Sequence, residues 1–226
     1  MVDRKLLRIG GICGMVFVVV MIVGLSYFAA ALGPPTSDAE EALQSWAAAP
    51  EAIRWFGWAI TLPGVLLVPF SLALYFALRG RERTYSLLGL VFLLFLALEI
   101  LIQSSSDPTL DWEMGQIYAA GNPAEKAAVL VVAKTVGLWV EATLNVILQL
   151  LMALGAGLFG LAMAQGHAFP RWLGWLGIIG GVLGVIGLFG FFTPALTVVF
   201  MLSWLLIFAW MFLAGVYLLR QQPATE

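Results

Sequence analysis

Six stretches of the sequence are long and apolar enough to cross a lipid bilayer as helices. A hydrocarbon core about 30 Å thick requires about 20 mostly apolar residues in a helix. The stretches lie near residues 9–32, 56–78, 86–105, 138–164, 172–192 and 195–219. The sequence therefore predicts an all-α fold, a polytopic membrane helix bundle. It forms one membrane domain over residues 1–226, with six transmembrane helices.

The composition agrees with this class and excludes several others. Hydrophobic residues make up 62% of the chain and charged residues 11%, whereas soluble domains are about half apolar and about a quarter charged. The mean hydropathy is +0.99. Soluble enzyme folds are therefore excluded. The net charge is −2 with no polybasic block, so the chain lacks the electrostatic footprint of a nucleic-acid-binding protein.

The first apolar stretch has some features of a secretory signal. Basic residues precede it, and small residues at 29–31 resemble a cleavage site. Its apolar run is longer than the 7–15 residues of a signal peptide. We therefore expect a retained membrane anchor.

The distribution of basic residues predicts the orientation. With six spans, eight of the eleven basic residues fall on one side of the membrane. They are Arg4, Lys5, Arg8, Arg79, Arg81, Arg83, Arg171 and Arg220. Because cytoplasmic loops are enriched in Lys and Arg, we predict that both termini are cytoplasmic. The protein is then a multi-pass protein of the plasma membrane, with the lipid bilayer as its first partner.

Two connections on the predicted outer side, 33–55 and 106–137, are long enough to contain helices. Ser37 and Glu40 form a capping box, and Pro50 ends the helical pattern that follows, so a short interfacial helix is expected there. Asn122 followed by Pro123 predicts a second helix start.

From Pro123 to Ala164 the sequence has helical character over 42 residues, about 63 Å of helix and more than a bilayer requires. We expect a break near Gly137 or a helix that projects from the membrane.

Polar side chains inside the third and fourth spans are the best candidates for a functional site. Ionisable and amide groups are expensive in hydrocarbon and usually face the bundle interior or a watery cavity. Glu99 and Gln103 are four residues apart, and Glu141, Asn145 and Gln149 repeat at the same interval. Each set therefore lies on one helical face.

These two faces predict a polar recess between spans three and four that opens outward. Arg54, Lys126 and Lys134 supply basic groups near its mouth. The leading hypothesis is a non-enzymatic membrane protein that binds a small ligand or cation in this recess. Proton-linked transport is one extension, because the half-buried carboxyl group of Glu99 is a natural proton site.

The sequence leaves other interpretations open. The polar residues of the spans could serve only to join helices by hydrogen bonds. The chain could also be an accessory or structural subunit of a larger complex, or a homo-oligomer, with partner proteins or pigments contacting its glycine-rich fifth span. Its glycines are Gly174, Gly177, Gly180, Gly181, Gly184, Gly187 and Gly190. A third class, an enzyme that acts on lipid, would require Asp107, Asp111 and Glu113 to converge with Glu99.

The rarity of metal-binding residue types limits the chemistry. The chain has one cysteine, Cys13, and one histidine, His167. These exclude an intrachain disulfide, a cysteine-cluster metal site and bis-histidyl haem ligation within one chain. No catalytic motif is recognisable. We therefore predict no enzyme activity, no cofactor and no resident metal.

Two local motifs resemble a known family. The first runs from Gly157 to Gly181 and contains Pro170-Arg171-x-Leu173-Gly174 before the glycine-rich span, and the second is Arg8-Ile-Gly-Gly-Ile in the first span. They are similar to those of an uncharacterised bacterial family of small multi-span membrane proteins known only as a domain of unknown function. The motifs cover about a fifth of the chain. The resemblance implies the six-span class and a bacterial inner-membrane location, with no activity to carry over.

Overall fold

The computed structural model describes residues 4–33, 36, 38–80, 82–140, 145–191, 193 and 196–220, and gives only the backbone for 105–108 and 191. The described residues form eight α-helices. They are α1 (Arg4–Leu32), α2 (Ala39–Ala48), α3 (Pro50–Leu78), α4 (Arg83–Ala120), α5 (Pro123–Trp139), α6 (Asn145–Gln165), α7 (Arg171–Gly187) and α8 (Thr197–Arg220). A 3₁₀ turn, Leu188–Phe191, follows α7.

Six of these helices are long and apolar enough to cross a membrane: α1, α3, α4, α6, α7 with its following turn, and α8. The predicted all-α class with six spans is therefore confirmed. The orientation of the termini stays a prediction.

The six spanning helices form a closed ring in chain order. Each packs on the next, from α1 through α3, α4, α6 and α7 to α8, and α8 packs back on α1. One end of the ring holds the short α3–α4 and α6–α7 connections; we call it the basic end. The opposite end carries α2 and α5 and is called the capped end.

Glycines allow α1 to contact the backbones of its two neighbours. A Cβ atom added at Gly10 would overlap Ala73 and lie 2.7 Å from the carbonyl oxygen of Pro69 on α3. A Cβ atom at Gly11 would lie 2.7 Å from the carbonyl oxygen of Gly215 on α8. Such small residues permit the close approach that stabilises helix pairs in lipid. All these contacts lie in the half of the ring toward the basic end.

The glycine-rich helix α7 packs on α6 and α8 in the same way. A Cβ atom at Gly181 would lie 2.6 Å from the carbonyl oxygen of Ala153 and 2.8 Å from the Cα atom of Gly157. On the other side, a Cβ atom at Gly180 would lie 3.0 Å from the side chain of Ile207. The buried residues of α7 are Leu173, Gly174, Gly177, Gly180, Gly181, Gly184 and Gly187. The glycine face is therefore covered within the chain itself.

Helix α4 extends far beyond the predicted third span. It contains 38 residues, which corresponds to about 57 Å and exceeds the hydrocarbon thickness by about 27 Å. The segment 106–120, expected to be part of a loop, is helical. Its far end is held by a small apolar cluster of Leu43, Met114, Val129 and Ala133. The extra turns of α4 thus gain packing partners outside the span, on α2 and α5.

We call α2, residues 109–120 of α4, and α5 the cap. Helix α2 begins after Asp38, whose Oδ1 accepts a hydrogen bond from the backbone N–H of Glu40 at 2.8 Å. The short helix was expected; its cap is Asp38, and the predicted cap Ser37 lies outside the described residues. Tyr118 of α4 donates a hydrogen bond from its hydroxyl group to Oε1 of Glu40 at 2.9 Å. The ring of Tyr118 also lies 5.5 Å from Nζ of Lys126 on α5.

Helix α5 begins with the predicted capping box. The Asn122 side chain accepts a hydrogen bond from the backbone N–H of Glu125 at 3.1 Å. The Glu125 carboxylate accepts one from the backbone N–H of Asn122 at 2.7 Å. Helix α5 includes Gly137 and ends at Trp139, and α6 begins at Asn145; the expectation of a break near Gly137 or a projecting helix depends on residues between these two helices. Residues 141–144 lie outside the described part of the chain.

The cap cluster predicts a local effect of mutation. Leu43 is fully buried, so Leu43→Ala should lose about 2–5 kcal/mol of packing and cavity energy. Hydrogen–deuterium exchange in residues 39–48 should accelerate, while the spanning helices remain protected. The matched control is Leu110→Ala, because Leu110 is 39% exposed. If hydrogen–deuterium exchange in residues 39–48 is equal in the two variants, Leu43 does not hold the helices of the cap together.

Two glycine-to-alanine changes should have different effects on the stability of the protein. Gly181→Ala forces a methyl group against the backbone of α6 and should destabilise the protein by about 1–3 kcal/mol. A Cβ atom at Gly137 meets no described atom within 4 Å, so Gly137→Ala should be neutral or stabilise by up to about 1 kcal/mol through helix propensity. Midpoints of thermal unfolding in detergent measure both. The packing argument fails if Gly181→Ala is as stable as Gly137→Ala.

Candidate functional site

A cavity of about 250 Å³ lies inside the ring, in the half toward the capped end. Five of the six spanning helices form its walls, and α7 is the exception. We call it the central cavity. One lining residue from each of the five helices defines it: Gly24, Ala59, Gln103, Asn145 and Trp204.

Aromatic side chains form much of the apolar wall. The Phe17 and Phe208 rings are 6.1 Å apart between centroids and nearly perpendicular. The Trp204 ring lies 5.3 Å from that of Phe208, again edge to face. Phe56, on the α3 wall, stacks on Phe28 with a centroid distance of 4.0 Å. These edge-to-face and stacked contacts hold the rings in fixed orientations.

The polar groups of the wall come mainly from α4 and α6. Gln103, Ser104 and Asp111 line the cavity from α4, and Asn145 lines it from α6. The Ser104 hydroxyl donates a hydrogen bond to the carbonyl oxygen of Leu101 at 3.2 Å, so its oxygen can still accept one. Asp111 is the one carboxylate among the described lining residues.

Helix geometry explains why Gln103 lines the cavity and Glu99 does not. At about 100° per residue, Ile100, Gln103, Ser104 and Asp111 fall within an arc of about 100° on α4, and Glu99 lies about 40° beyond Gln103. Both carboxylate oxygen atoms of Glu99 are buried. Glu99 is not among the described residues that line the cavity.

The same geometry separates the two amides of α6. Asn145 faces the central cavity together with Leu148 and Met152, and Gln149 lies about 40° outside the arc of these three residues.

Gln149 instead joins three helices. Its side-chain N–H groups donate to Oγ of Ser203 on α8 at 3.0 Å and to the carbonyl oxygen of Gly184 on α7 at 3.3 Å. The Ser203 hydroxyl in turn donates to the carbonyl oxygen of Phe200 at 2.7 Å. Gln149 is fully buried. Its position matches the helix-joining role that the sequence left open for the amides.

Arg54 lies beside the central cavity in a second depression of about 450 Å³ between α3 and α4. We call this depression the Arg54 cleft, lined also by Trp58, Thr61, Thr109 and Trp112. The guanidinium group is 5.9 Å from the Trp112 ring centroid and 3.4 Å from Oε1 of Glu51. Ser104 lines both the cleft and the central cavity.

The remaining predicted residues are distributed differently. Lys134 is exposed on α5, and Glu141 lies outside the described residues. The structure therefore brings Gln103 and Asn145 to one cavity and Arg54 next to it, whereas Glu99, Gln149 and Lys134 have other surroundings.

The acids that a lipid-acting enzyme would need do not converge among the described side chains. Asp111 lines the central cavity, whereas Glu113 is exposed; two residues apart, their side chains lie about 200° apart around the helix. No side chain is described for Asp107. In the part of the chain that the structure describes, no three His, Cys, Asp or Glu residues could together hold a metal ion.

Sequence reasoning named Asp111 only for the alternative of a lipid-acting enzyme, and it placed neither Asp111 nor Trp204 in the recess. Asp111 was assigned to a loop, although it follows Ser104 by seven residues and so shares its helical face. Trp204 was interpreted as packing. It does contact Phe208, yet it also lines the cavity.

A comparison of two buried serines, Ser203 and Ser86, tests the role of Gln149. Ser203→Ala removes an interhelical acceptor, and such hydrogen bonds contribute about 0.6 kcal/mol on average and up to about 1.7 kcal/mol in membranes. Ser86 is equally buried, but its hydroxyl donates only within its own turn, to Glu82 and Arg83. We expect Ser203→Ala to lower the free energy of unfolding more than Ser86→Ala. A double-mutant cycle with Gln149→Ala should give a non-zero coupling energy, and zero coupling would contradict the contact.

The comparisons with known proteins give the family. The family model for the domain of unknown function DUF4386 matches residues 12–221. The chain therefore belongs to this family, and the resemblance extends over most of the chain rather than about a fifth of it. Searches of curated proteins and of solved structures find no match.

Proposed function

We propose that this member of the DUF4386 family binds a small amphipathic organic cation in the central cavity. The observation that carries the proposal is the composition of the wall. Aromatic and aliphatic side chains surround most of the space, and one carboxylate and two amides line it as well. Binding sites for small molecules usually combine an apolar enclosure with a few convergent polar groups.

The charge of the ligand follows from the lining. Asp111 is the charged side chain among the described lining residues. The faces of Phe17, Phe56, Trp204 and Phe208 carry the negative part of the aromatic quadrupole, which attracts cations. A cation held near these rings also loses water, which strengthens both interactions.

The size of the ligand follows from the volume. Typical pockets for drug-sized molecules are about 300–1,000 Å³, and the central cavity is about 250 Å³. A single ring with a substituted ammonium group is the scale that fits. Gln103 and Asn145 would orient the polar end, and the half of the ring tightly packed by glycines would bound the apolar end.

In the proton-linked form of this function, we place the proton site at Asp111 rather than at Glu99. A carboxylate that faces a bound cation can take up a proton when the cation leaves, so protons and ligand would compete for it.

The alternative role, a subunit joined to a larger complex through the glycine-rich helix, has less support. The glycine face of α7 packs on α6 and α8 of the same chain, so a partner could reach it only if the ring opened. Mass measurement after mild detergent extraction tests this role, which predicts a stoichiometric large partner.

Substitution of the acid should identify the site. We expect Asp111→Asn to weaken binding of benzyltrimethylammonium to the full chain in phosphatidylcholine nanodiscs by tenfold or more, about 1.4 kcal/mol. Equilibrium dialysis with labelled probe measures this effect.

The matched control is Glu113→Gln, which removes one negative charge from an exposed position of the same helix and should leave the affinity unchanged. Asn145→Leu, which changes the wall that α6 contributes, should also weaken binding of the probe. The proposal is rejected if the unmodified protein does not bind the probe, or if Asp111→Asn and Glu113→Gln behave alike.

A further inference from the structure

A groove of about 500 Å³ lies on the outer face of the bundle between α1 and α3. Most of the side chains that form it are well exposed: Val19 51%, Val23 62%, Tyr27 48% and Trp55 64%. Because these residues belong to spanning helices, the groove faces the lipid. Tyr27 and Trp55 lie near the capped ends of α1 and α3, where amphipathic rings favour the membrane interface.

The groove and the central cavity share two wall residues. Gly24 of α1 and Ala59 of α3 line both spaces. A Cβ atom added at Gly24 would lie 2.9 Å from the Cβ atom of Ala59, so the two helices touch here through the smallest side chains available. The wall between lipid and cavity is therefore thin at this position.

We propose that the ligand reaches the central cavity from the bilayer, through the contact between Gly24 and Ala59. The ligand class is then a membrane-dissolved amphiphile with a cationic head, not a strongly hydrated solute from the aqueous phase. This inference rests on the proposed function, because it concerns access to the same site.

Packing favours this contact as the passage. Neither glycine nor alanine has a side-chain rotamer that must rearrange. A small separation of α1 and α3 therefore joins the two spaces. The Phe28–Phe56 stack joins the same two helices about one turn toward the capped end, so these two rings must slide apart when the helices separate. The contact of Phe17 with Phe208 joins α1 to α8 instead.

Charge also favours this route over the Arg54 cleft. The cleft meets the cavity at Ser104. The guanidinium group of Arg54 lines the cleft and would repel an organic cation. The carboxylate of Glu51, 3.4 Å from this group, offsets part of that repulsion. None of the described residues that line the groove is charged. An amphiphile could keep its head near Tyr27 and Trp55 while its apolar part lies in the lipid.

A reversible disulfide tests the route. The pair Gly24→Cys and Ala59→Cys is introduced with Cys13→Ser, so that no other cysteine remains. A disulfide needs Cβ atoms about 3.5–4.5 Å apart, and the Cβ positions here are 2.9 Å apart, so the helices must separate by about 1 Å. The two sulfur atoms then occupy the space between the helices, and the covalent bond prevents any further separation. If the bond does not form, a bis-methanethiosulfonate reagent links the same two thiols.

The probe is benzyldimethylbutylammonium, bound to the full chain in phosphatidylcholine nanodiscs. We expect the linked protein to bind and release it at least tenfold more slowly than the reduced protein. The Kd should change by less than threefold, because a closed passage slows both directions equally. Reduction should restore both rates.

Thr61→Leu serves as the control, since Thr61 lines the Arg54 cleft and is not among the described residues that line the central cavity; it should leave both rates unchanged. Equal rates in the linked and reduced proteins, or slowing by Thr61→Leu alone, would overturn the lateral route. Failure of the unmodified protein to bind the probe at equilibrium rejects the proposed function itself, before any rate is compared.

Discussion

The close approach of helix backbones at glycine is the constraint on which the bundle depends. Lipid tails solvate apolar side chains as well as a neighbouring helix does, so association must come from tight packing and a few hydrogen bonds. Toward the basic end, Gly10, Gly11 and Gly215 let α1 meet the backbones of α3 and α8. Toward the capped end, α1, α3 and α8 form walls of the central cavity instead. The same ring of helices is therefore closely packed toward the basic end and hollow toward the capped end.

Much of the fold could be predicted because the thickness of the bilayer determines how long an apolar run must be to cross it. An apolar run of about 20 residues has few alternatives in lipid, since every backbone polar group must be satisfied within the segment. The capping box at Asn122 and the helix that begins near Asp38 could also be predicted from local hydrogen bonding. The length of α4 could not. Its polar segment after Ser104 matches the end of a span, and the apolar partners that keep it helical come from α2 and α5, which are distant in sequence.

The candidate site was predictable in part, for the same physical reason. Spacing of four residues identifies a common helical face but leaves an uncertainty of about 40° around the helix axis. That angle separates Gln103 from Glu99 on α4, and Asn145 from Gln149 on α6. Which side of the axis faces a cavity depends on the positions of the neighbouring helices, and these positions follow from glycine contacts between distant residues. Asp111 was hidden by the underestimated length of α4 rather than by any ambiguity in its own spacing.

The continuous α4 makes the cap part of the candidate site. Asp111 lies one turn before Met114 and Gly115, and these two residues contact α2 through the Leu43 cluster and the backbone of Trp46. The same helix carries Gln103 and Ser104 two turns earlier, so the cap contacts and the polar wall lie on one helix. Pro108 stands between Ser104 and Asp111 in the sequence and removes one backbone donor. The cap contacts at Met114 and Gly115 lie within about one turn of Asp111, so the packing of α2 on α4 positions the backbone from which Asp111 reaches the cavity.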